Sequence, residues 1–338
     1  MKMFKYKVSI LVPIYNVENY IESCACSLFE QTMEEIEYVF IDDCGTDNSI
    51  SLLNNILEKY PERKDNVRVI HNLRNLGIGQ SRNKAVENAL GEYLYYVDSD
   101  DFIEKNTIQL LYDEAKKYDL DIVAAEFYLF YPNGTKIRTN YLISDVPESF
   151  FLQLLNKQIP SYLCNKLIRR NLYIDNEIKV PEEVNFMEDF ATLPRLVFHS
   201  RKIAYLPIPL YYYRQNQNSY CNSLKKSSII SAFKAIETIE TFLNSKANIK
   251  LKDYSLDLQY CKLQTKLMLS YAAPELAEVI CNYYPLLELG ELSYRFNYRE
   301  RILLKYITKK KYKKIRILVW IMKRASRLKA TIQRLFDK

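Results

Sequence analysis

An apolar, aromatic run that stops abruptly at a group of acids is the feature that most constrains this chain. The residues from Glu92 to Val97 are typical of a buried central strand, and Asp98, Asp100 and Asp101 follow within four positions. On an extended backbone Asp98 and Asp100 point the same way, so their charges repel unless a cation lies between them. Mg²⁺ and Mn²⁺ prefer such oxygen ligands, and Mg²⁺ adds water and substrate phosphates. The run therefore predicts a metal–diphosphate site at a strand end, with a solvated helix-capping turn as the alternative.

The order of elements around this run predicts an α/β domain with a mostly parallel sheet and helices on both faces. Strands are predicted at 8–15, 36–41, 67–71, 92–97 and 121–131, and helices at 17–30, 47–60, 80–89 and 104–117. Two further strands end in chemically distinctive residues, namely Pro13 with Tyr15 and Asp42 with Asp43. Because the carboxyl ends of parallel strands share one edge, we expect these residues and the acids to converge on a nucleotide-type crevice.

The composition is that of a globular chain, with 48% hydrophobic and 26% charged residues among 338. The seven cysteines are odd in number and scattered, so they do not indicate the disulfide framework of a secreted protein. The two histidines exclude a His-rich metal site. No signal peptide is visible before the first predicted strand, and we expect a cytosolic chain.

The basic residues are concentrated at the C-terminal end. Residues 301–338 contain fourteen Lys/Arg and one acid, a net charge of +13, which leaves −6 for the rest of a chain at +7. Apolar residues alternate with these cations, and their longest run of six is too short to span a bilayer. A basic amphipathic helix of this kind predicts peripheral binding to an anionic membrane surface. A helix packed on the body is the alternative, and a nucleic-acid patch is the least favoured one.

The middle of the chain carries two further groups of interest. Asn133-Gly134 predicts a hairpin turn, 147–156 is predicted to be helical, and a short helix is predicted from 164. Glu188 and Asp189 then follow in an apolar setting, where burial raises the pKa of a carboxyl group and makes it a better base. The alternative is a structural acid that caps the next helix. Residues 207–219 predict an aromatic strand and a polar loop with one cation, Arg214.

Several separated stretches together resemble one family. These stretches are 12–16, 41–49, 75–77 with 81–83, and 91–101, in that order. They are similar to the motifs of family 2 glycosyltransferases, which have the GT-A fold, a Rossmann-like α/β sheet. The resemblance covers residues 8–105 strongly and continues more weakly to Ser219. Cys44-Gly45-Thr46 departs from the common Gly-Ser-Thr, and Gln80-Ser81 stands where Ala often precedes Arg-Asn.

The resemblance implies inverting transfer of a sugar from a nucleotide diphosphate, usually UDP, to a hydroxyl group. Pro13 and Tyr15 would line the nucleobase pocket. Asp43, with Asp42 beside it, would accept a hydrogen bond from the base. Arg82 would lie near the nucleotide or its diphosphate.

The other site residues follow from the same resemblance. Asp98, Ser99 and Asp100 would form the family's Asp-x-Asp motif, which contacts the ribose and, chiefly through Asp100, Mn²⁺ or Mg²⁺. Arg214 would help to hold the diphosphate.

The acceptor side completes the implied site. Asp189 would be the general base, and Glu188 would orient it or the acceptor. Asn165 and Lys166 would lie near the acceptor, which would be a glycan or a lipid-linked glycan.

The expected organisation is therefore a GT-A domain at 1–225, a helical region at 226–300 and a basic, membrane-associating tail at 301–338. We expect a cytoplasmic enzyme, peripheral on the inner face of the cell membrane, without a nucleic-acid partner. Two alternatives remain. A nucleotidyltransferase usually has a Gly-rich phosphate loop after the first strand, where this chain has Pro13-Ile14-Tyr15-Asn16-Val17. A non-catalytic membrane scaffold would not need all the carboxylates.

Overall fold

The structure is a computed structural model that describes residues 4–216, 224–246 and 254–336, with side chains up to residue 325. The described chain forms two compact units. The sheet unit comprises residues 4–154 and 158–216, and the helical unit comprises 155–157 and the described residues from 224 onward.

The sheet unit contains one sheet of nine strands in its described residues. Their bounds are β1 Tyr6–Ile14, β2 Ile36–Asp42, β3 Val67–His71, β4 Gly91–Tyr96, β5 Phe102–Ile103, β6 Ile122–Phe130, β7 Lys136–Arg138, β8 Lys166–Arg169 and β9 Ile203–Arg214. The order is β3-β2-β1-β4-β8-β6-β9-β5, and β7 pairs with β6. The helices formed by this part of the chain are α1 Ile21–Phe29, α2 Ser49–Leu57, α3 Ile78–Asn88, α4 Thr107–Tyr118, α5 Pro147–Leu155, α6 Arg170–Ile174 and α7 Glu188–His199.

The first four strands are parallel, and three of them, β1, β2 and β4, are buried over most of their length, as parallel strands covered on both faces should be. Val8 to Ile14 are all buried, and β1 pairs in parallel with β2 on one side and β4 on the other. Two buried tyrosines in these strands satisfy their hydroxyl groups, since Tyr38 donates to the Leu28 carbonyl at 3.0 Å and Tyr93 to the Leu120 carbonyl at 2.8 Å. The predicted α/β architecture is confirmed.

The rest of the sheet is mixed rather than parallel. The predicted short helix from 164 is wrong at its start, because residues 166–169 form β8, and α6 begins only at Arg170. β8 lies antiparallel between β4 and β6, so the fifth predicted strand does not pair with β4 directly. The predicted turn at Asn133-Gly134 does join an antiparallel hairpin, β6 to β7, with Gly134 at φ +83°.

The described residues of the helical unit form five further α-helices. They are α8 Lys226–Ser245, α9 Ser255–Ala272, α10 Ala277–Asn282, α11 Tyr298–Thr308 and α12 Tyr312–Phe336. Its core includes residues from the predicted tail, namely Leu303, Leu304, Ile307, Ile315 and Val319. The first half of the segment 301–338 is therefore packed within this unit, because its apolar residues recur at helical spacing. Within the described residues, every helix is too short or too polar to cross a bilayer.

Candidate active site

The predicted convergence of strand ends is present in the sheet unit. The Asp43 amide donates to the Ile14 carbonyl at 2.9 Å, and the Asn72 amide donates to the Asp42 carbonyl at 2.8 Å. On the other side of β1, the Val97 amide donates to the Leu11 carbonyl at 3.1 Å. The segments that follow β1, β2 and β4 thus begin at one edge of the sheet.

Arg82 connects the acidic segment after β4 with the two acids at the start of α7. Its Nη2 donates to Asp98 Oδ1 at 3.0 Å, and its Nη1 donates to Glu188 Oε1 at 2.7 Å and also to Asp189 Oδ1. The Arg82 side chain is only 5% exposed. One buried cation thus faces three carboxylates, which leaves an excess of negative charge at this position.

That excess of negative charge acts on Asp189. Burial raises the pKa of Asp189 from its ordinary value to about 7. The Arg82 guanidinium opposes this rise, whereas Glu188 and Asp98 add to it. A carboxyl group with a pKa near neutral is suited to general-base chemistry, because it accepts a proton at working pH and holds it well enough to favour the transfer. Asp189 lies in the first turn of α7, as the capping alternative also expects, and it accepts a further hydrogen bond from the Leu163 amide at 3.4 Å.

Close backbone packing brings α3, which carries Arg82, against the segment that precedes α7. Gly77 has φ +83°, and a Cβ there would lie 2.3 Å from Asn185 Oδ1. The Gly79 amide donates to the same oxygen at 3.1 Å. Asn83, beside Arg82, exchanges two 2.8 Å hydrogen bonds with the backbone of Val180. Glycine and asparagine therefore hold these two segments close enough for Arg82 to reach both α7 acids.

A second group of contacts fixes the acidic segment itself. The Tyr211 hydroxyl donates to Asp101 Oδ2 at 2.6 Å and accepts from the Asp98 amide at 3.1 Å. Asp101 also accepts from the Arg214 amide at 2.7 Å. Asp101 is buried, and this burial together with the charge of Asp100 raises its pKa. Asp101 is therefore a structural acid that ties β9 to the segment carrying Asp98 and Asp100.

Arg214 lies beside Asp100 in an aromatic setting. Its Nε donates to the Asp100 carbonyl at 2.8 Å, and its Nη2 donates to Ser23 Oγ at 3.0 Å. The guanidinium lies 5.3–5.4 Å from three aromatic ring centres, which belong to Tyr20, Phe102 and Phe130. These contacts hold the cation next to the acidic segment.

The carboxyl groups of Asp98 and Asp100 form a donor set that fits a hard divalent cation. Burial and the charge of Asp98 raise the pKa of Asp100 to about 6, and Asn216 Nδ2 donates to Asp100 Oδ2 at 3.0 Å. A cation between the two oxygens would relieve the repulsion that raises this pKa. Among the residues described with side chains, no group of three or more His, Cys, Asp and Glu is placed to hold a metal.

The predicted nucleobase residues differ in accessibility. Tyr15 is 49% exposed, whereas Pro13 is buried at the end of β1. The buried Asp43 carboxylate accepts from three donors, the Asn72 side chain and the amides of Leu76 and Gly77, at 2.8–2.9 Å. Asp43 thus holds the loop before α3, and its contact with a base stays a prediction.

Its neighbour Asp42 is also engaged within the protein. Asp42 Oδ2 lies 2.7 Å from His71 Nδ1, and Asp42 Oδ1 accepts from the Gly45 amide at 3.3 Å. Ser99, the middle residue of the Asp-x-Asp motif, is buried.

The side chains of the two residues predicted to lie near the acceptor point into the protein interior. Asn165 Nδ2 donates to the Ala125 carbonyl at 2.5 Å, and Lys166 Nζ donates to Asn165 Oδ1 at 2.7 Å and to the Tyr162 carbonyl at 2.6 Å. Burial lowers the pKa of Lys166 to about 8. Both side chains are buried, so the geometry gives no support for direct contact with an acceptor, and that role stays a prediction.

Some residues that build the site were missed in the sequence. Tyr211 and Asn185 carry no recognisable signal of their own, because each acts through a partner about a hundred residues away. Asp101 was recognised as part of the acidic group, but its structural contact with Tyr211 was not. Asn83 could have been found, since it adjoins Arg82 in a stretch that already carried the resemblance.

Comparison with known proteins identifies the family. The model for glycosyl transferase family 2 matches residues 9–176. The glycosyltransferase GlyG of Streptococcus pneumoniae is 30% identical over 223 residues, which cover 63% of this chain and 72% of GlyG.

Two solved structures show the same fold. Residues 1–349 of Staphylococcus aureus TarS, in complex with UDP-GlcNAc, superpose with a TM-score of 0.71 at 22% identity, covering 94% of this chain and 92% of that one. The mannosyltransferase PcManGT of Pyrobaculum calidifontis, in complex with GDP-Man and Mn²⁺, has a TM-score of 0.53 at 17% identity, covering 100% and 91%. With the matches in sequence, they establish that this chain is a glycosyltransferase that belongs to family 2 and has the GT-A fold.

Proposed function

We propose that this chain transfers a sugar from a UDP-sugar to a hydroxyl group of a glycan or lipid-linked glycan, with inversion at the anomeric carbon. The observation that carries the proposal is the buried Arg82, which donates to Asp98 of the Asp-x-Asp motif and to Glu188 and Asp189. This contact supports a single site, in which Asp98 of the donor motif and the proposed base Asp189 lie close to the same sugar–diphosphate bond. The UDP-GlcNAc bound to the related fold of TarS supports UDP as the nucleotide.

Asp189 would act as the general base. The acceptor oxygen attacks the anomeric carbon as the bond to the diphosphate breaks, and the acceptor proton passes to the Asp189 carboxylate. Glu188, which shares Arg82 Nη1, would keep the guanidinium and Asp189 in position. Attack from the face opposite the leaving diphosphate inverts the configuration.

Asp98 and Asp100 would hold Mn²⁺ or Mg²⁺ together with the donor. When bound, such an ion stabilises the negative charge that develops on the leaving diphosphate. The Arg214 guanidinium beside Asp100 would add a second positive charge at the same place. The Mn²⁺ in the mannosyltransferase of similar fold supports a metal requirement.

The helical unit would hold the enzyme at the inner, cytoplasmic face of the membrane. Among the side chains described on α12, up to residue 325, the large apolar groups of Ile317, Trp320 and Ile321 are exposed, and exposed cations lie along the same stretch. An amphipathic basic helix with an exposed Trp is suited to an anionic lipid surface. Ile317→Ser together with Trp320→Ser in the full chain should weaken sedimentation with anionic vesicles, and unchanged sedimentation would contradict this part of the proposal.

A product assay separates this function from its alternatives. Wild-type protein is incubated with a panel of UDP-sugars and acceptors, with Mn²⁺ or with EDTA, and UDP is measured. We expect Mn²⁺-dependent UDP release and a product with inverted anomeric configuration. Pyrophosphate release from UTP and a sugar phosphate would indicate a nucleotidyltransferase instead. If the protein releases neither UDP nor pyrophosphate but still binds vesicles, it would be a non-catalytic scaffold.

A further inference from the structure

The helical unit contains a groove that the transfer reaction does not use. It has a volume of about 780 Å³ and lies between residues 285–290 and one side of α11. No described residue of α12 lines it. The groove is therefore distinct from the exposed apolar residues of α12.

One wall of this groove is basic. Arg301, Lys305 and Lys309 line it at intervals of four residues, which places them along one face of α11 from its first turn to the residue that follows its end. All three are exposed, and none of them has an ion-pair partner among the described residues. The lining includes one acid, Glu288. Like charges at this spacing repel each other on a helix, so an anion in the groove would relieve the repulsion.

The opposite side of the groove is apolar and open to solvent. On this side, formed by residues 285–290, Leu286 is 91% exposed, and Leu287 and Leu289 are half-buried. On α11 itself, Tyr298 is 71% exposed and Ile302 is half-buried, and both also line the groove. Transfer of a projecting leucine such as Leu286 from water into an apolar medium is favourable. An anion without an apolar part would leave this wall in water. A groove with basic side chains on one wall and apolar side chains on the other is therefore suited to an anionic amphiphile, which has both a negative charge and an apolar part.

We propose that this groove binds an anionic phospholipid, with the phosphate against Arg301, Lys305 and Lys309 and the upper acyl chain over Leu286 and Tyr298. The inference deepens the membrane association proposed above and rests on it. It assigns lipid headgroup recognition to a defined site rather than to the diffuse charge of the C-terminal segment.

Vesicle co-sedimentation of the full chain tests the basic wall. The variant Arg301→Gln, Lys305→Gln and Lys309→Gln is compared with wild type on phosphatidylcholine vesicles with and without phosphatidylglycerol. We expect a loss of roughly 100-fold in partition to the anionic vesicles, since each basic residue near such a surface contributes about fivefold. The matched control Lys59→Gln, Lys105→Gln and Lys202→Gln removes three exposed charges from the sheet unit and should bind like wild type. Equal losses in both variants would overturn the proposal.

Two further measurements separate a lipid from a free anion. Leu286→Ser keeps every charge, and we expect it to weaken partition several-fold. Short-chain phosphatidylglycerol should compete with the vesicles, whereas inorganic phosphate at the same concentration should not. Full binding by Leu286→Ser, or equal competition by phosphate, would overturn the assignment to a lipid.

The same variants distinguish this inference from the proposed function. The groove variant should release UDP from a UDP-sugar with a soluble acceptor at the wild-type rate. If it does so and also binds vesicles like wild type, the groove proposal fails and the transfer proposal stands. If wild type releases no UDP while the groove variant still loses vesicle binding, the reverse holds.

Discussion

In the sheet unit the Arg82 guanidinium is buried among three carboxylates. In the helical unit, by contrast, Arg301, Lys305 and Lys309 lie exposed along a groove, and none of them forms an ion pair with a described residue. A buried charge is tolerated only where its partners are fixed, so each member of the first cluster depends on the others. Exposed cations cost little and interact weakly until a ligand arrives. Substitutions should therefore remove catalysis in the sheet unit and leave it intact in the helical unit.

The largest expected effect is at the base. Asp189→Asn should lower kcat by roughly 10²–10⁴-fold, because the amide cannot accept the acceptor proton. Affinity for UDP should stay close to wild type, since the substitution leaves Asp98 and Asp100 in place. UDP release and calorimetry with UDP measure the two quantities. Asp113→Asn, at an exposed acid of α4, is the matched control. Wild-type turnover by the Asp189 variant would refute the assignment.

Removal of the proposed metal ligand should have the next largest effect. Asp100→Ala should weaken Mn²⁺-dependent UDP binding at least by the roughly 100-fold that loss of an outer-shell partner can cost. Calorimetry with UDP, with and without Mn²⁺, measures this difference. An Mn²⁺ dependence equal to that of wild type would show that Asp100 does not hold the ion.

The residues that hold the acidic segment should give a smaller effect. Tyr211→Phe leaves the Asp101 carboxylate and the Asp98 amide each without one partner, and we expect a loss of about 1–3 kcal/mol in stability. The donor KM should rise with it, because the segment carrying Asp98 is less well fixed. Thermal unfolding and donor titration test both points against Tyr118→Phe, at an exposed tyrosine. An unchanged donor KM would limit Tyr211 to a structural role.

The smallest effect is expected in the helical unit. Asn297 accepts from the Glu300 amide at 3.0 Å, and Glu300 accepts from the Asn297 amide at 2.9 Å, which caps α11. Asn297→Ala should cost about 1 kcal/mol of stability, measured by denaturant unfolding. The rate of UDP release should not change. A loss of turnover as large as that of the Asp100 variant would break the division of roles between the units.

The two units also differ in how far their sequence predicts them. The parallel strands and the acidic segment were predictable, because a buried strand bounded by Asp98 leaves a local pattern. The partners of Arg82 were not, since Glu188 and Asp189 lie more than a hundred positions later and only the folded backbone brings them together. β8 was predicted as a helix because four apolar or basic residues suit either state, and pairing with β4 and β6 decides it.

The C-terminal segment shows more clearly what the spacing of apolar residues can and cannot predict. Apolar residues at helical spacing correctly predict an amphipathic helix, but they do not say what covers the apolar face. Ile315 and Val319 are covered by the core of the helical unit, whereas Trp320 is exposed. The proposed membrane contact therefore concerns only the exposed residues of this helix.

The pH dependence of kcat/KM tests most directly whether Asp189, set among Arg82, Glu188 and Asp98, is the base. Its carboxyl group has a pKa raised to about 7, so it is protonated and inactive as a base below that pH. We expect kcat/KM to fall tenfold per pH unit below about 7 in wild type, and this acidic limb to be absent in Asp189→Asn. A wild-type profile that stays flat to pH 5, or the same limb in the Asn variant, would contradict a catalytic role for Asp189.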